Sequence, residues 1–197
     1  MSTSAQQLIK LCYNVNMRLI ALIFTAFLLT ACADQAVENN LLIKQIGFMR
    51  LTSPAFENQQ AMDSVYTCDG QDINPPLHIS DVPTEAKSLA LIMDDPDALR
   101  PAGKVWDHWI VWNIPVSTTD IPEGQEPRGV HGLGTSDNLD YHGPCPPDGE
   151  HRYFFKLYAL DVELDLDEGA GKDEVEESMD GHILAYTELI GLYNRKK

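Results

Sequence analysis

The stretch Gly143–Tyr153 reads Gly-Pro-Cys-Pro-Pro-Asp-Gly-Glu-His-Arg-Tyr. Pro146 and Pro147 each lack an N–H and have a fixed φ, so this segment belongs neither inside a helix nor in a central strand. Gly143 and Gly149 bracket the prolines and supply turn freedom. Arg152–Leu160 follows directly, a β-prone run with the length of a buried strand. A rigid loop is thus clamped to a strand start, with His151, Arg152 and Tyr153 at the joint. Two readings fit this stretch: a fixed wall that presents an imidazole and a phenol to a small polar ligand, or a Pro-rich turn over a buried tyrosine.

Working upstream, Ser88–Met93 is a continuous apolar run bounded by turn signals, which predicts a strand buried on both faces. It runs into Asp94, Asp95 and Asp97. Carboxylates this close repel one another unless they are solvated or matched by donors. After Pro101 and Gly103, Trp106–Pro115 predicts another strand. Strict alternation puts Trp106, His108, Ile110 and Trp112 on one face and Asp107, Trp109, Val111 and Asn113 on the other. His108 is either a satisfied core histidine or the partner of a carboxylate in the nearby acidic cluster. Tyr66–Pro76 is crowded with turn residues, and Leu41–Leu51 predicts a first strand.

Downstream, Gly129–Asp140 reads as a long loop over the pocket end. Asp161–Glu168 alternates Leu with acids and reads as a solvated strand end or turn. Lys172–Leu184 has apolar residues at helical spacing with acids in its first turn, and predicts a helix. Tyr186–Tyr193 predicts a final strand.

The 197 residues suit one domain with a short appendage. A formal net charge of −16 argues against nucleic acid or an anionic membrane surface as an electrostatic partner. Leu19–Leu29 is uncharged and too short to span a bilayer comfortably, which matches the core of a signal peptide. Its Leu29-Thr30-Ala31-Cys32 ending resembles a bacterial lipobox. That resemblance implies lipidation of Cys32, with 1–31 as a leader whose true start is Met17, 32–42 as a tether and 43–197 as the domain. Ala33 after the cysteine favours an outer-membrane anchor facing the periplasm. The alternative is a core helix that ends in cysteine. With Cys12 in the leader and Cys32 lipidated, Cys68 and Cys145 remain. An even remainder in an exported chain suggests one disulfide, and the alternative is two separate buried thiols.

Several motifs occur in order: Tyr66-Thr-Cys-Asp-Gly70, Asn74-Pro-Pro76, Asp95-Pro-Asp-Ala98, Trp106-Asp-His-Trp109, Gly143-Pro-Cys-Pro-Pro147, His151-Arg-Tyr153 and Gly181-His-Ile-Leu184. Together they resemble the phosphatidylethanolamine-binding protein family in its bacterial Raf-kinase-inhibitor-like branch, over roughly residues 43–195. The resemblance implies a mainly β protein: an antiparallel β-sandwich with a C-terminal helix, few other short helices and a small anion-accepting pocket. The matching ligand-binding positions are Asp95, Asp97, Trp106, His108, Pro146, Pro147, His151 and Tyr153. Leu99 stands where the family commonly has proline.

An anionic or phosphoryl ligand needs convergent donors. Protonated His108 and His151 and the Tyr153 hydroxyl are expected to supply them, with Asp95 orienting one imidazole. Arg152 is expected to brace the loop. The expected function is that of a lipid-anchored envelope binding protein, possessing no cofactor, that holds a small anionic ligand and modulates a partner protein or forms a homodimer. Two alternatives use the same groups: a hydrolase or lyase built on Asp95, His108 and His151, and a metal site of the two histidines with carboxylates. Against these, no G-x-S-x-G elbow and no metal-binding spacing is present, so neither catalytic residues nor metal ligands are assigned.

Overall fold

A computed structural model describes residues 48–195. The leader with Cys12, Cys32, the tether and the first part of the strand expected over 41–51 lie outside the described residues. The central strand is β4 (Ser88–Asp95), in which all eight residues are buried. It is flanked by β5 (Trp106–Ile114) and β8 (Glu150–Leu160), both antiparallel to it. β8 in turn pairs antiparallel with β9 (Ile183–Asn194) from Glu150↔Asn194 to Leu160↔Ile183. The short β2 (Gln60–Ala61) adds in parallel to β9, and β7 (Val130–His131) closes the other edge on β5. These strands make a six-stranded sheet. A second sheet of three strands comprises β1 (Arg50–Thr52), β3 (Leu77–Ser80) and β6 (Asp120–Ile121).

A continuous apolar strand such as β4 needs cover on both faces, and two separate clusters provide it. One joins the sheets through Leu51, Leu77, Ile79, Leu91, Met93, Trp109, Val111 and Phe155. The other packs Ala90, Ile92, Ile110 and Trp112 beneath Leu164 and beneath Val175 and Met179 of the helix Lys172–Met179. The Leu/acid segment expected to be solvated therefore contributes Leu164 to the core. The second face also carries a half-buried ion cluster around the buried Asp94. Lys156 donates to Asp94 at 2.7 Å, and Lys172 reaches Asp94 at 3.2 Å and Asp107 at 2.7 Å. This matches one of the crowded carboxylates, Asp94, and Asp107 of β5 with cations.

Three sequence expectations shift. The helix ends at Met179, not Leu184, because Gly181 takes φ +78° and turns the chain, so Ile183 and Leu184 begin β9. Gly129–Asp140 contains β7, which pairs Val111 and Trp112 with His131 and Val130. Most importantly, β5 is bulged. Met93 pairs with Trp109 but Asp94 pairs with Asp107, which leaves His108 as an extra residue. A bulge breaks period-two alternation. His108 thus lies edge-on to Tyr153, which shares a core cluster with Trp109, and does not lie with Ile110 and Trp112.

Candidate functional site

At the end of β4, Asp95 makes three hydrogen bonds. Its Oδ1 accepts from the backbone N–H groups of Asp97 (2.9 Å) and Ala98 (3.1 Å) and so caps the 3-10 turn Pro96–Ala98. Its Oδ2 accepts from His151 Nδ1 at 2.7 Å. Proline at the start of the turn presets the backbone for this cap. Both side chains are buried, at 4% and 5% exposure, so they meet away from bulk water. Burial alone would lower the His151 pKa, but the hydrogen bond and charge of Asp95 outweigh it, with Asp148 adding, and the net shift is upward. Burial pushes Asp95 up against the pull of His151 and the two backbone donors.

His108, on the bulge, has a different partner from the carboxylate expected of it. Its Nδ1 lies 2.6 Å from the His142 carbonyl, which can only accept, so Nδ1 carries the proton and Nε2 is left as an acceptor. Burial drives its pKa down to about 4, with the bond to His142 opposing. His108 is therefore neutral at physiological pH and not the cationic donor expected from sequence. The His142 ring stacks on it at 6.1 Å, and its Nδ1 lies 3.5 Å from an Asp72 carboxylate oxygen.

The Pro-rich loop forms the facing wall. Cys145 is joined to Cys68 by a disulfide with a Cα separation of 5.5 Å. Around it, Cys68 N–H donates to the Pro144 carbonyl (3.2 Å), Gly143 N–H to Asp72 (2.6 Å) and the Tyr141 hydroxyl to the Tyr66 carbonyl (2.8 Å). Gly143 is required here, since a Cβ would lie 2.5 Å from the Tyr66 carbonyl oxygen. Between this wall and the strand ends is a cavity of about 250 Å³. Its polar side chains are Asp95, Trp106, His108 and His142, and Ala98, Pro101, Ala102, Pro146 and Pro147 make it largely apolar. Lys104 covers the Trp106 ring at 5.7 Å.

The structure thus brings Asp95, Trp106, His108, Pro146 and Pro147 together around one cavity. Tyr153 packs against His108 at 5.3 Å and His151 at 6.5 Å, and its buried hydroxyl has no hydrogen-bond partner among the described residues. His151 and Asp97 line a neighbouring open cleft of about 1110 Å³, so the Asp95–His151 pair stands between the two spaces. Asp97 accepts from Arg152 Nε (2.9 Å), Nη2 (2.8 Å) and backbone N–H (3.0 Å), and Arg152 in this way braces the turn to β8. Sequence reasoning missed His142 and Asp72. His142 immediately precedes the Gly-Pro-Cys segment, and that adjacency was the available signal.

A family model described as phosphatidylethanolamine-binding protein matches residues 52–194. A UPF0098 protein of Methanothermobacter thermautotrophicus is 53% identical over 153 residues, covering 75% of this chain and 99% of that protein. Another from Chlamydia trachomatis is 47% identical, with the same coverages. Among solved structures, a putative phosphatidylethanolamine-binding protein homologue from Chlamydia trachomatis superposes with a TM-score of 0.72 at 46% identity, over 76% of this chain and 99% of that one. Escherichia coli YbcL gives 0.69 at 29% identity, over 75% and 99%. With its sandwich, its walled cavity and a family match over most of its length, the chain belongs to the phosphatidylethanolamine-binding protein family.

Proposed function

We propose that the cavity binds a small ligand with an anionic or phosphoryl group, and that the protein acts by binding rather than by catalysis. The observation that carries this reading is the Tyr153 hydroxyl, a buried donor with no partner among the described residues, beside the His108 acceptor and the Asp95–His151 pair. A buried polar atom left unpaired calls for a partner, which a water, an ion or a bound ligand can supply. A monoprotonated phosphoryl group has complementary atoms: its P–O–H can donate to His108 Nε2 while its charged oxygens accept from Tyr153 and interact with His151. The hydrolase alternative has no activated side-chain nucleophile among the described residues lining the cavity, since Cys145 is held in a disulfide, and would have to act on water through its acid–base groups.

The test is calorimetric titration with inorganic phosphate and phosphoethanolamine across pH. His151 has a raised pKa, so its charge persists above the ordinary imidazole range. Affinity is expected to fall as pH rises, first as the phosphoryl group loses the proton it donates to His108 Nε2, at about pH 6 for a phosphomonoester, and again through the folded-state value of His151. His151→Gln should lose about ten- to a hundredfold, the equivalent of a charge-assisted hydrogen bond. Binding that ignores both pH and this substitution would count against the site, and turnover of phosphoesters would favour the hydrolase.

The same reading includes an envelope location through a lipid on Cys32, supported by the apolar run Leu19–Leu29 and the lipobox-like Leu29–Cys32. Labelling cells with a fatty acid should tag the wild-type protein and not Cys32→Ser. A soluble, unlabelled, full-length product would refute the anchor. It also includes modulation of a docked protein, a partner or a second copy, for which the exposed Leu99 at the rim of the open cleft offers an apolar contact.

A further inference from the structure

Glu126, His131 and Asp140 each bring one ligand-type atom to within 4.8 Å of the others. They come from separate positions on the chain. Glu126 precedes the edge strand β7, His131 lies on it, and Asp140 ends the loop that follows. Both ring nitrogens of His131 face backbone carbonyls: Nδ1 is 3.2 Å from Leu139 O, and Nε2 is 3.3 Å from Pro127 O. Nδ1 also lies 3.7 Å from Glu126 Oε2. A neutral imidazole has one N–H and one lone pair. Whichever tautomer forms, a lone pair points at a carbonyl oxygen, and on the Nδ1 side carboxylates crowd the same space. Among the described residues, the groups facing its ring nitrogens are acceptors only. They call for a cation between them, either a second proton on the ring or a metal ion.

We propose that Glu126, His131 and Asp140 form a binding site for a divalent first-row transition-metal cation, with His131 ligating through Nδ1. The supporting shell has the arrangement such ligands require. Nε2–H is left to donate to the Pro127 carbonyl, which fixes the tautomer and frees the Nδ1 lone pair. Glu126 is oriented by two donors, Trp109 Nε1 at 2.6 Å to Oε2 and the Tyr141 N–H at 3.0 Å to Oε1. Each of those oxygens retains a second lone pair. The Leu139 carbonyl supplies a fourth donor atom. One imidazole nitrogen with several oxygens suits zinc or manganese better than a soft cation, and the partial exposure of the carboxylates allows entry. The site lies outside the ligand cavity and does not depend on the function proposed for that cavity. It shares with it the chain from Asp140 to His142, whose carbonyl anchors His108.

The experiment uses chelator-treated protein titrated calorimetrically with zinc chloride, and separately with manganese chloride, at pH 7.5. Saturable binding of one equivalent is expected. The Asp140 side chain makes no hydrogen bond among the described residues, so Asp140→Asn should keep the fold and weaken binding at least tenfold. His131→Gln should weaken it at least as much. Because Trp109 donates to Glu126, a metal-dependent change in indole emission should saturate at the same ratio in wild type and disappear in both variants. Absence of saturable binding in wild type overturns the site, as would nitrogen NMR showing a doubly protonated His131 in the presence of excess metal. Binding that survives both substitutions unchanged also overturns it.

Discussion

Replacing Cys68 and Cys145 together by serine should cost up to about 4 kcal/mol of stability, the largest effect expected from any change at the cavity. The bridge spans a sequence separation of 77, and closing a loop of that length removes conformational freedom mainly from the unfolded chain. The folded wall should survive, because Cys68 still donates to Pro144, Asp72 still accepts from Gly143, and Tyr141 still reaches Tyr66. The double variant is therefore expected to fold with the same spectrum and unfold at a lower urea midpoint, and reductant added to wild type should reproduce the shift. In unfolded, unreduced protein that carries Cys12→Ser and Cys32→Ser, a count of two reactive thiols would contradict the bridge.

Acid should weaken the fold through His108. Its pKa falls from 6.5 to about 4 on burial, so between those values the unfolded chain binds a proton that the folded chain excludes. Stability is then lost as pH falls through this window, by about 3 kcal/mol at the acid end from this one group. His151 acts with the opposite sign. Its raised pKa gives a contribution that is complete below the ordinary imidazole range and is lost only as pH rises through the folded value. The two effects occupy different limbs of the stability curve. Urea midpoints measured from pH 7 to pH 4 should fall more steeply in wild type than in His108→Gln. Parallel curves would show that His108 is not the group excluded from protonation.

The elements most legible in the sequence were those whose pattern depends on burial alone. The apolar run of β4 and the β-prone run of β8 needed no neighbour to be recognised, and the parity of the cysteines pointed to the pair that the structure joins. Other features depend on partners distant in sequence. A two-residue strand such as β7 carries no periodicity, and its place is decided by the free edge of β5. Ile183 and Leu184 continue a helical spacing, and it was Gly181 and the long β8 ladder that claimed them for a strand. The Asp95–His151 contact spans 56 residues and the Arg152–Asp97 brace 55, so local reading could name these residues but could not allot their partners. The protonation state of His108 was misread for the same reason, because burial beneath residues distant in sequence lowers its pKa, while the His142 carbonyl 34 residues away fixes only its tautomer.

The extra residue at His108 in β5 also bears on how such a protein can diversify. On the core side of the bulge, alternation is tied to two packed clusters, and any slip would turn Trp109 and Ile110 onto the wrong faces. On the other side the count restarts, and Trp106 and Asp107 answer to the cavity and the lysines instead. The bulge works as a clutch between these two halves of one strand. Residues at the cavity end can therefore be exchanged without re-phasing the core, and the lining of the cavity can change while the scaffold stays under constraint.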